Sequence, residues 1–220
     1  MGRHALIAIA LFAGAPLAAN GGEVMGTLRV RRATEEPSAP PAPVVVYVTG
    51  FQQPPPDASP LITQLDKTFR PSLLAIVAGQ SVRFANDDVV VHNVFSTSKA
   101  RPFDLGKPGP GQTRAVRFST PGLVNVYCNI HEAMWANVLV LPNRAFAFVD
   151  ESGSFVLRGV PPGTYPLHAW GPRIAPVEAM VVVRPDMPAQ VELVAEAREL
   201  NPTHPDKFGR TYRDRRGYGE

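Results

Sequence analysis

The sequence predicts an all-β protein made of two sandwiches, and three observations carry that expectation. With 18 glycines and 24 prolines in 220 residues, the chain is punctuated too often for a helical bundle. The segments between are short and rich in valine, and no apolar repeat of about 3.6 residues persists over a helix-length window. Turn-forming clusters recur at the intervals that strands of about five or six residues require. A hydrophobic share of 45% and a charged share of 19% are those of a folded chain, which excludes wholesale disorder.

Residues 1–19 read as an export signal, with Arg3 near the start, an apolar run, and small residues at Ala18 and Ala19. The run contains Gly14 and Pro16 and falls short of the roughly 20 apolar residues of a membrane span. The expectation is a periplasmic or secreted protein with no stable membrane insertion once the signal is removed. Beyond it, β-like runs cover 26–30 and 44–49, separated by a Pro-rich linker over 37–43. A second cluster, Pro54-Pro55-Pro56, follows.

A first group of strands is expected over 73–77, 81–85, 89–96, 113–118, 123–128 and 137–141. Turn signals separate them at Ala78-Gly79-Gln80, Asn86-Asp87-Asp88, 106–111 and Thr120-Pro121-Gly122. That spacing predicts a sandwich or barrel within 60–142. From 143 a second rhythm begins, with strands over 146–149, 155–157, 164–170, 179–183 and 190–195. Its turns are Asp150-Glu151-Ser152-Gly153 and Gly159-Val160-Pro161-Pro162-Gly163. The polar, basic tail over 199–220 is expected to be disordered. A net charge of +3, with no stripe of Arg and Lys interleaved with aromatics, gives no footprint for nucleic acid.

The chemistry gathers around Cys128, the one cysteine of the chain. It has no intrachain partner, so an exported chain carries no disulfide framework. An unpaired thiol kept in an oxidising compartment is either a small buried hydrophobe or a ligand or nucleophile. Val124, Val126 and Cys128 alternate on one strand face, which places the thiol at the inner end of a buried strand. The loop that follows reads Cys128-Asn129-Ile130-His131-Glu132-Ala133-Met134. In the expected strand over 89–96, Val90, His92 and Val94 alternate in the same way, so His92 also faces an apolar interior.

Two imidazoles, a thiolate and a thioether thus converge at one end of a sandwich. Thiolate and thioether are soft donors that suit copper(I), and imidazole stabilises copper(II) as well; this set is the ligand pattern of blue-copper electron-transfer centres. It leaves no open position for a substrate, which argues for electron transfer over catalysis. Zinc is not excluded by affinity alone. A copper carrier or store that hands the ion on would use similar donors, but would expose them and add Met-rich or His-rich tracts that this chain lacks. A Cys/His hydrolase using Cys128 and His131 would need an orienting group that the loop does not supply. A multicopper enzyme would need further histidine clusters, and His168 and His204 are isolated.

His92-Asn93-Val94 and, 36 residues beyond His92, Cys128-x-x-His131-x-x-Met134 resemble the cupredoxins, in particular the plastocyanin- and amicyanin-like blue copper proteins. The two-residue gap between His131 and Met134 is similar to the amicyanin loop. The resemblance covers about a third of the chain and implies a Greek-key β-sandwich holding one type 1 copper ion. Its ligands would be His92, Cys128, His131 and Met134. By the same resemblance the backbone amide of Asn93 hydrogen-bonds the cysteine sulfur, and redox partner proteins dock near His131, ringed by Ile130, Ala133 and Trp135. For Trp135 ordinary core packing is the simpler assignment. The turns at 150–153 and 159–163 resemble the carboxypeptidase regulatory-like β-sandwich, a scaffold without catalysis. Its first strands would come from 22–50 and the rest from 143–198, with the cupredoxin unit inserted between; two sequential domains are the alternative.

Overall fold

The computed structural model describes residues 21–32, 35–40, 43–200 and 204–212. The export signal expected over 1–19 lies outside them. The described chain is all-β, as its punctuation predicts, and no helix in it is long and apolar enough to cross a membrane.

Among the described residues seventeen strands follow one another: β1 (Gly22–Arg32), β2 (Glu35–Ser38), β3 (Val45–Val48), β4 (Leu61–Leu65), β5 (Thr68–Arg70), β6 (Leu73–Val77), β7 (Ser81–Asn86), β8 (Phe95–Ser96) and β9 (Phe103–Asp104). Then come β10 (Thr113–Arg117), β11 (Gly122–Tyr127), β12 (Trp135–Leu141), β13 (Phe146–Phe148), β14 (Ser154–Val160), β15 (Gly163–Trp170), β16 (Val177–Val183) and β17 (Ala189–Glu196).

They pair into four sheets. One runs β10-β7-β4-β5 and another β6-β12-β11-β8-β9; these use only strands between residues 61 and 141. Their inner faces enclose a core that includes Ile62, Phe84, Phe118, Val124, Val126 and Val138, all fully buried. The pairings β4–β7 and β6–β12 are parallel, so each sheet contains a crossover rather than a simple meander.

The other two sheets take strands from both sides of that stretch. β1 pairs with β14, β17 and β2, and β3 lies between β13 and β15, with β16 outside β15. Leu28, Val46, Leu157, Leu167 and Leu193 fill the space between them. Gly26 sits where β1 meets its neighbours; a Cβ there would lie 2.2 Å from the carbonyl oxygen of Val191 and 2.8 Å from the Phe155 ring. Only glycine permits that approach. In the 150–153 turn the Asp150 carboxylate accepts the backbone N–H groups of Ser152 and Ser154, and Gly153 takes the left-handed backbone (φ 88°) that closes the turn.

A third apolar cluster joins the two halves. Val45 of β3 meets Leu73, Ala75, Leu139 and Leu141 from the outer face of the β6–β12 pair, with Trp170 and Phe146 against them.

Two local expectations are corrected and one element is added. The strand expected over 89–96 shrinks to β8, and residues 87–94 form an irregular loop. The Asn86 side chain dictates this: it accepts the Asp88 N–H and donates to the Val90 carbonyl, so these groups are satisfied without a sheet partner. Second, β4 and β5, a hairpin absent from the sequence reading, form around Asp66-Lys67, both left-handed without glycine (φ 52° and 55°). Third, the tail expected to be disordered is packed over 204–212: His204 and Asp206 are buried, and the segment bonds to the loop after Cys128.

Candidate metal centre

Cys128 follows the last residue of β11, and the alternation along that strand turns Val124, Val126 and the thiol into the core, each fully buried. The loop beyond closes on itself: the Cys128 N–H donates to the Met134 carbonyl (3.0 Å) and the Met134 N–H to the His131 carbonyl (3.1 Å). This tight return starts β12 at Trp135 and leaves Met134 fully buried at the strand's mouth. The Ile130 N–H points at the sulfur from 3.4 Å. Burial pushes the thiol up. The hydrogen bond with His92 and the backbone N–H groups of His131, Ile130 and Asn93 outweigh it and hold Cys128 below the usual thiol range.

His92 approaches from the irregular loop. Its ring is fully buried, with Nδ1 turned toward the sulfur at 4.0 Å and Nε2 3.0 Å from Oδ2 of Asp88. Burial disfavours its charged form, but the contacts with Cys128 and Asp88 lift it above the ordinary histidine value. Asp88 is itself fixed by the Lys67 N–H at 2.8 Å, a donor that the left-handed hairpin turn presents. The Lys67 N–H, then the His92 ring, lower the Asp88 carboxyl to about 2. No sequence signal marked Asp88 beyond its place in a turn.

His131 is half-buried, with Nδ1 3.7 Å from the sulfur and 3.1 Å from Nδ1 of His92. The two rings meet edge to face at a centroid distance of 4.9 Å. Burial, then the charge of His92, holds His131 below the ordinary value. Asn93 lies behind this group: its side-chain amide donates to Oδ1 of Asp104 (2.7 Å) and to the Gly106 carbonyl (2.5 Å). That pins the backbone whose N–H faces the sulfur.

The structure therefore gathers His92, Cys128 and His131, with their donor atoms within 4.8 Å of one another. Met134 ends the same loop and is fully buried. His168 lies elsewhere, with Nε2 on the Thr49 hydroxyl and Nδ1 near Glu178. His204 stacks on Tyr127 at 4.0 Å. The donor triangle has sides of 3.1, 3.7 and 4.0 Å, so one point lies about 2.1 Å from all three atoms, the range of metal bonds to imidazole nitrogen and thiolate sulfur. Two nitrogens and one sulfur in that arrangement fit a transition-metal ion.

The outer face of β11 and β12 carries a feature that sequence reading missed. Tyr127 and Trp135, paired in register, line a cavity of 270 Å³ together with Trp170 of the other half.

No protein-family model matches the chain, and no curated protein does. Among solved structures, the chain is similar to one described as a novel purple cupredoxin from Nitrosopumilus maritimus, at 23% identity and a TM-score of 0.34, over 37% of this chain and 99% of that one. A reduced single-residue mutant of amicyanin matches at 16% identity and a TM-score of 0.36, over 43% of this chain and 97% of that one. A copper-containing nitrite reductase from Thermus scotoductus SA-01 matches at 22% identity and a TM-score of 0.36, over 50% of this chain and 28% of the reductase.

Proposed function

We propose that this chain is an exported mononuclear type 1 copper protein that carries electrons between partner proteins and catalyses no reaction of its own. The observation that supports this best is the triangle of His92 Nδ1, His131 Nδ1 and Cys128 Sγ, in the core of a rigid β frame, with a point about 2.1 Å from each corner. His92, Cys128 and His131 would hold the ion, with the Met134 thioether as a weaker fourth donor. When bound, copper supplies a one-electron couple between its two common oxidation states.

The chain's residues do the rest. Asp88 accepts the Nε2 proton of His92, which leaves Nδ1 as the free donor. The backbone N–H groups of Asn93, His131 and Ile130 favour the thiolate over the thiol. Both donor-bearing segments are tied, one by backbone hydrogen bonds and the other by the anchored Asn93 amide, so the pocket keeps its shape whatever charge it holds. Full burial of Cys128, His92 and Met134 excludes water and suits outer-sphere transfer better than handing the ion on. A carrier or store would expose these donors.

The half-exposed edge of His131 is the proposed contact for redox partners. Exposed Val89, Val91 and Ile130 lie on the two donor-bearing segments and offer apolar surface there. The pairing of strands before residue 50 with strands after 145 supports a second, scaffolding sandwich into which the metal-bearing unit is inserted.

The test is an absorption spectrum of the purified protein with copper(II). An intense blue to violet or green charge-transfer band, lost in Cys128→Ser, is the expected result. Colourless protein that binds only copper(I) would replace electron transfer with copper storage.

A further inference from the structure

The C-terminal segment is stitched to both stretches that carry the donors. The Tyr212 hydroxyl donates to the Cys128 carbonyl at 2.6 Å. The Lys207 N–H donates to Oδ1 of Asn129 at 2.9 Å, and its ammonium reaches Oδ2 of Asp104 at 2.6 Å. The other oxygen of Asp104 takes the Asn93 amide, one residue beyond His92. Upstream, the buried His204 ring stacks on Tyr127 at 4.0 Å, tilts against Phe95 and meets Tyr212 edge-on.

The segment holds its own shape. The Asp206 carboxylate, 2% exposed, accepts the backbone N–H groups of Phe208 and Arg210 and the Arg210 guanidinium. A buried carboxylate satisfied three times over makes a rigid turn. We infer that residues 204–212 form a strap that positions the Cys128 loop, with Tyr212 as its principal positioning residue for the metal centre. This rests on the copper reading above.

The physical argument turns on the two sides of the Cys128 residue. Its N–H is used within the loop, on the Met134 carbonyl. Its carbonyl leads out of the loop and is held by Tyr212. The phenol therefore anchors the Cys128–Asn129 peptide group, the first of the ligand loop. Its O–H dipole also draws electron density from that carbonyl and favours the reduced metal.

The experiment compares the full-length protein with its Tyr212→Phe variant, which keeps the ring and loses the hydroxyl. In the metal-free proteins, hydrogen exchange of the Ile130–Met134 amides is expected to rise about fivefold, the factor for one net hydrogen bond of about 1 kcal/mol. Val138 and Val140 in β12 should exchange unchanged. With copper, the variant should bind the ion about 10-fold or more weakly and show a lower reduction potential. Unchanged loop exchange, or a rise spread equally through β12, overturns the strap, as do equal copper affinity and potential in both proteins. Wild-type protein that takes up no copper overturns the copper reading instead, while the exchange result still decides whether the strap clamps the loop.

Discussion

Asp88 and His92 are joined on the side of the imidazole that faces away from the sulfur: Oδ2 lies 3.0 Å from Nε2, while Nδ1 points at Cys128. A carboxylate there makes the Nε2–H tautomer the stable one and leaves the Nδ1 lone pair for a metal. The hairpin turn at Asp66-Lys67 extends this chain of support, since the Lys67 N–H holds the same carboxylate oxygen.

Replacing Asp88 by alanine should therefore lower copper affinity about 10- to 100-fold with the fold intact. Asp88→Asn, which can still accept from Nε2, should recover part of that loss. A competition titration against a chelator of known affinity reads both variants. Alanine and wild type binding equally would remove Asp88 from the metal centre.

Asn93 tests the other flank. Its buried amide donates to the exposed Asp104 carboxylate and Gly106 carbonyl, and its removal deletes both bonds, at a cost of about 0.5–1.5 kcal/mol each. Asn93→Ala should lower the melting temperature and also shift the sulfur-to-copper absorption band, because the N–H facing the sulfur loses its anchor. A drop in stability with an unmoved band would make Asn93 a packing residue alone.

The parts of this site that sequence reveals are those set by short-range pattern. Val124, Val126 and Cys128 alternate into the core because β11 is a regular strand with one buried face. The spacing of Cys128, His131 and Met134 is legible because one tight loop carries all three. His92 is buried as expected but for another reason: residues 92–96 are buried consecutively, where a loop whose shape the Asn86 side chain sets runs into β8. Alternating valines there mimic a strand. Asp88 and the strap escape notice because their partners are distant or irregular. Tyr212 meets Cys128 across 84 residues of chain, and a polar tail holding single aromatic anchors has the composition of a disordered one. The β4–β5 hairpin is invisible because its turn uses left-handed Asp66 and Lys67, where sequence rules look for glycine.

The last prediction lies far from the metal, in the turn at 150–153. The Asp150 carboxyl is held below its ordinary value of 3.8, first by the Ser152 hydroxyl and then by the backbone N–H groups of Ser154, Ser152 and Gly153. A folded-state value lower than the unfolded one means that the charged form stabilises the native turn. That contribution is fully present above pH about 4, the unfolded range for aspartate, and fades as pH falls through the lowered folded value. Asp150→Asn, whose side chain keeps an acceptor but no charge, should melt below wild type at pH 7, with the gap closing as pH drops below about 4. Melting curves for the two proteins, taken at intervals from neutral to strongly acidic pH in constant salt, read this directly. A gap that stays constant across the range would mean that the turn depends on hydrogen-bond geometry and not on the charge of Asp150.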